Sequence, residues 1–93
     1  MDIQKDQKFI YLTRRQAEVV KLKETLTDEV VELTLTIGHR LKGHGETFGF
    51  PKISAIGVLM ESAAKSKDLV KLKEIIHELD ESIEESLRLI QNP

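Results

Sequence analysis

The sequence has no cysteine, and its aromatic residues are limited to Phe9, Tyr11, Phe48 and Phe50. Without cysteine, disulfides and thiolate metal sites are excluded, which suits a reducing compartment. Few aromatics, together with glycine and proline that avoid most of the chain, favour helices over a sheet. No apolar run approaches the length of a membrane span, and the opening residues MDIQKDQK lack the apolar core of a signal peptide. A soluble, cytoplasmic protein is expected. Neither sign of charge is in excess: 14 basic and 16 acidic residues are mixed along the chain and leave a net of −2. No surface field for nucleic acid or membrane is therefore expected.

What is present fits one all-α domain spanning residues 1–93, with a 40% hydrophobic share sufficient for a single core. From about Gln4 to Thr25 the residues are helix-forming, with Phe9, Leu12, Val19, Val20, Leu22 and Leu26 as apolar members. Thr13 and Gln16 interrupt that stripe, which leaves room for a separate short turn at the N-terminus. Thr25 to Asp28 offer capping oxygens and acidic charge for a second helix, predicted from about Asp28 to Glu46. Gly49-Phe50-Pro51 breaks it, with glycine suited to the C-terminal turn and proline to the start of a third helix ending near Lys65. Asp68 is a natural N-cap for the fourth. That helix carries Leu69, Leu72, Ile76, Leu79, Ile83, Leu87 and Ile90 in a three-four rhythm. Short connections make sequential helices neighbours, so the expected architecture is an antiparallel up-down-up-down four-helix bundle. The rhythm of the last helix also fits an intermolecular coiled coil, ranked lower because three further apolar stripes need covering. The expected oligomeric state is a monomer.

The stretch Thr36 to Pro51 contains a histidine that packing does not explain. In the second helix Val30, Leu33, Ile37, Leu41 and Phe48 recur at three- and four-residue steps on one side. His39 lies two positions from both Ile37 and Leu41, roughly 200° around the helix from each, so its imidazole is expected to face water. Glu32, Leu35, Lys42, Gly43 and Glu46 are assigned to the same outer face, with Leu35 as an apolar contact point for a partner. All five glycines fall in this region and the helix that follows, although each costs a helix about 1 kcal/mol relative to alanine. A solvent-facing neutral imidazole is a nucleophile that another protein's reactive centre can reach. Lys42, one turn along, places a cation near the oxygens of a phosphoryl group on such a ring, and Gly43 removes a side chain that would obstruct an approaching partner. His39 and His44 lie about 140° apart on a helix and do not form a metal-binding pair. Arg40, His44 and Glu46 read as rim residues, and His77 as a surface residue.

The run His39-Arg40-Leu41-Lys42-Gly43, followed by Phe48-Gly49-Phe50, resembles the signature of histidine-containing phosphotransfer (HPt) domains, including that of chemotaxis histidine kinases. The likeness continues through Leu59-Met60-Glu61 and Ala63-Ala64, and more loosely around Leu12 to Arg15. It implies His39 as the residue phosphorylated on Nε2, Lys42 as the lysine supporting phosphorylation, and Gly43 as the glycine leaving room beside the ring. It implies Glu61 as a glutamate hydrogen-bonded to Nδ1, which favours the tautomer with a free Nε2. Val58 departs from the pattern, standing where chemotaxis domains carry a further histidine. The implied partners are histidine kinase and response-regulator receiver domains, the latter bringing Mg²⁺ and an acidic pocket. This chain itself needs no cofactor and no metal, and is expected to be a phosphocarrier rather than an enzyme. The rival reading is a helical adaptor that binds a signalling partner through the same face without phosphate.

Overall fold

The computed structural model describes residues 4–25 and 29–91, which form four helices and no strand. The helices are α1 (Lys5–Glu24), α2 (Glu29–His44), α3 (Pro51–Lys65) and α4 (Leu69–Gln91). None is long and apolar enough to cross a membrane. Each runs antiparallel to its neighbours, as expected. Lys23 near the end of α1 pairs with Asp80 in the middle of α4, while Phe9 near the start of α1 shares a cleft with Ile90 near the end of α4. Across α2 and α3, Gly38 meets Gly57, and Gly45 meets Ser54.

The core is aliphatic. Leu12, Leu22, Leu41, Ile53, Met60, Leu72, Leu79 and Ile83 are all fully buried, and burying such a side chain is worth about 1.5–3 kcal/mol. The α4 stripe lies inside this bundle, so it is not left for an intermolecular coiled coil. Asp68 caps α4 as the sequence predicts, its Oδ1 accepting from the Lys71 N–H at 3.0 Å. Thr34 is a polar residue the apolar stripe does not include. It is wholly buried, and its hydroxyl donates back to the Val30 carbonyl at 2.7 Å.

Helix α1 departs from its predicted stripe. Phe9 and Val20 are exposed, whereas Tyr11 is buried. Tyr11 is drawn inward by partners distant in sequence: its ring stacks on Phe48 at 4.3 Å between centroids, with Phe50 beyond at 6.1 Å. The helix starts at Lys5 without a separate N-terminal turn among the described residues. The Thr25 hydroxyl donates to the Lys21 carbonyl of its own helix. The remaining capping residues and Leu26 lie outside the described residues.

Helix α2 ends two residues earlier than predicted, at His44, and Glu46 and Phe48 fall in a turn over residues 45–49. Ser54 makes that turn. Its hydroxyl oxygen accepts from the Glu46 N–H at 2.6 Å, and the same hydroxyl donates to the Leu41 carbonyl at 3.2 Å. Gly49 closes the turn with φ +90°, a conformation side chains resist. Leu35 is half-buried against the core instead of standing on the open face. The covered band of α2 is widened by the close approach of α3.

That approach depends on glycine. A Cβ on Gly57 would lie 2.6 Å from the Lys42 nitrogen and 2.7 Å from the Leu41 Cβ, and one on Gly38 would lie 2.9 Å from the Glu61 nitrogen. A Cβ on Gly43 would meet nothing within 4 Å. Gly57→Ala should therefore destabilise the bundle by about 1–3 kcal/mol. Gly43→Ala should be neutral or stabilise it by up to about 1 kcal/mol. Urea titrations followed by circular dichroism measure both, and equal midpoints for the two variants would contradict this packing.

Candidate functional site

His39 stands on the open face of α2 with 72% of its side chain exposed, which agrees with its position in the helical repeat. Its Nδ1 lies 2.8 Å from Oε2 of Glu61, which reaches across from α3. The contact depends on the Gly38–Gly57 crossing, because Glu61 follows Gly57 by one turn and His39 follows Gly38 directly. A carboxylate only accepts, so Nδ1–H is the donor and the ring is held in the tautomer whose Nε2 lone pair is free.

Glu61 is the meeting point of the cluster. While Oε2 accepts from His39, Oε1 lies 3.4 Å from Nζ of Lys42 and 3.7 Å from Nζ of Lys65. Its side chain is largely covered, with 14% exposed. The hydrogen bond from His39 holds the Glu61 carboxyl below its ordinary range. Partial desolvation opposes that shift, and the bond and charge of Lys42 and the charge of Lys65 add to it. Lys42 thus rests on Glu61, one turn from the imidazole, rather than on the ring itself. Lys65 was not anticipated from the sequence. Its i,i+4 spacing from Glu61 is the signal that would have found it, once Glu61 is known to face α2.

Gly43 is exposed next to Lys42 and no protein atom crowds its Cβ position, so its lack of a side chain serves no internal packing. Val58, one turn before Glu61, is an exposed apolar residue. The two phenylalanines of the Phe48-Gly49-Phe50 run do not reach His39. They stack on Tyr11 and fasten the α2–α3 turn to α1. Arg40 and His44 lie on the flank of α2 towards α1, where Arg40 approaches Glu18 at 3.8 Å. His77 is exposed and pairs with Glu81 along α4. Among the described residues no three histidine or carboxylate side chains converge as they would around a metal ion.

The arrangement presents an exposed imidazole with one nitrogen committed to a carboxylate, the other open to solvent, and two ammonium groups on that carboxylate. Chemically this is a positioned nucleophile whose ring can take on positive charge against a fixed anion. No protein-family model, no curated protein and no solved structure matches this chain.

The Glu61 contact makes a pH-dependent prediction. Because the folded carboxyl titrates below its ordinary range, its contribution is complete above that range and is lost as the pH falls through the lowered folded value. Nitrogen-15 spectra of the His39 ring should show the Nδ1–H form favoured at neutral pH. Glu61→Leu should reduce that preference, and an unchanged tautomer population in this variant would remove Glu61 from control of the ring.

Proposed function

We propose that this protein is a phosphorelay intermediate, carrying a phosphoryl group on Nε2 of His39 between a histidine kinase or receiver domain and the aspartate of a response regulator. The observation that carries this reading is the exposed His39 ring with Nδ1–H donated to Glu61 at 2.8 Å. The resemblance of the His39 to Gly43 run and its Phe-Gly-Phe partner to HPt domains points the same way.

In the transfer, the Nε2 lone pair forms a bond to phosphorus as the P–O bond of a receiver's phospho-aspartate breaks, and the departing electron pair stays on the aspartate carboxylate. When a kinase is the donor, the bond broken is that between the γ-phosphorus of ATP and the bridging oxygen that leaves with ADP. The ring keeps its Nδ1 proton and becomes a phosphorylated imidazolium, so no proton has to move. Glu61 stabilises the positive charge that appears. Onward transfer reverses these events, with a carboxylate oxygen of the next receiver attacking phosphorus and the N–P pair returning to the ring. Lys42, one turn along α2 from His39, offsets the charge of the phosphoryl oxygens. The partner supplies Mg²⁺ and the acidic pocket. This chain supplies nucleophile, cation and an unobstructed approach across Gly43.

Incubation with a phosphorylated receiver should place an acid-labile phosphate on the wild-type protein and none on His39→Gln. Label that persists on the variant, or none on wild type with several competent donors, would favour a helical adaptor that uses the same face without phosphate. Lys42→Ala should slow transfer by about ten-fold or more, the scale expected when a charge-stabilising group is lost, with helicity unchanged. An unaltered rate removes Lys42 from the mechanism. Gly43→Leu should impair transfer far more than it alters the urea midpoint; equal transfer would refute the role given to clearance.

A further inference from the structure

A second feature lies on the flank of α2, away from the Glu61 cluster. Helices α1 and α2 are separated by an open groove of about 550 Å³. Its floor is the Tyr11 and Phe48 stack, and exposed Ile10 forms an apolar wall. Around it stand Arg14, Arg15 and Arg40, with the His44 ring at one end.

The charges are unbalanced. Glu18 is the one carboxylate placed against these guanidiniums among the described residues, and it pairs with Arg15 and, at 3.8 Å, with Arg40. Arg14 is exposed and has no ion-pair partner among the described residues. Three guanidiniums thus face one carboxylate in a chain whose net charge is −2. Arg15 lies over the Tyr11 ring, 4.8 Å from its centroid. The groove therefore combines an aromatic floor with excess positive charge.

We infer that this groove is a recognition site for an acidic amphipathic segment of a partner protein. Its apolar side chain would rest on Tyr11, Phe48 and Ile10, and its carboxylates would pair with Arg14 and Arg40. Guanidiniums suit this role because they bind carboxylates through two parallel hydrogen bonds. The groove is open along its length rather than closed, so it suits a chain segment better than a small anion, which needs an enclosing pocket. The residues involved are distinct from His39, Lys42, Gly43 and Glu61, and the inference does not depend on the phosphotransfer reading.

A fluorescein-labelled amphipathic peptide with leucines on one face and glutamates flanking them provides the probe, with its glutamine counterpart as control. Saturable binding of the glutamate peptide to the full chain is expected, weakening as salt is raised. The double variant Arg14→Glu, Arg40→Gln should lose affinity by about ten-fold or more, in line with the loss of close charge pairs. His39→Gln should bind as wild type does. Amide shifts on titration should gather at Ile10, Tyr11, Arg14, Arg40 and His44. Equal binding of the glutamine peptide, no saturable binding, undiminished binding by a folded double variant, or loss of binding in His39→Gln would each overturn the inference. So would sedimentation showing that the free protein self-associates through this groove, with the exposed glutamates of α4 from a second copy as occupant.

Discussion

The backbone of α2 passes so close to that of α3 at Gly38 and Gly57 that neither position has space for a methyl group. This crossing governs what is built around it. It brings Glu61 within hydrogen-bond reach of His39 although they are 22 residues apart in sequence. It carries Ser54 to the end of α2, where one hydroxyl ties the Glu46 amide to the Leu41 carbonyl. It also partly covers Leu35. Two glycines that weaken their helices locally permit the close approach that brings Glu61 to His39.

The other side of α2 is different. Towards α1 the helices are held apart by large side chains, with the stacked Tyr11, Phe48 and Phe50 as the main filling at one end. Burial pushes the Tyr11 phenol up from its ordinary range, with the Arg15 guanidinium opposing the rise. A tightly packed pair, α2 with α3, therefore supports the histidine. A looser seam, α1 with α2, supports the basic groove. One helix serves both because opposite flanks of α2 have residues of different size: glycine towards α3, arginine and histidine towards α1.

Much of this was legible in the sequence wherever a local rule was decisive. The α4 rhythm, Pro51 at the start of α3 and Asp68 at the start of α4 fixed their elements, and counting residues around α2 placed His39 outward. The positions that escaped were those whose neighbours are remote in sequence. Tyr11 is buried by Phe48 and Phe50, so the α1 stripe cannot be read from α1 alone. Gly45 and Ser54 end α2 together, and because Ser54 lies in the next helix the stop cannot be read from α2 alone. Thr34 tolerates full burial only because its hydroxyl returns to the Val30 carbonyl. At the site, spacing linked His39 with Lys42 and Gly43, whereas the contact with Glu61 needed the likeness to HPt domains to suggest it. Lys65 needed the helix crossing itself.

The carboxylate of Glu61 is touched by two lysines, so the cluster beneath the imidazole is net positive while the whole chain is net negative. The imbalance acts before any contact is made. An anionic group approaching the open face of α2 is repelled by the acidic surface of α4 and attracted by this patch, which biases its orientation during diffusion. Such steering raises encounter rates and fades as salt shortens the Debye length. The lysines on Glu61 therefore give the surface around His39 a local field opposite in sign to that of the whole chain.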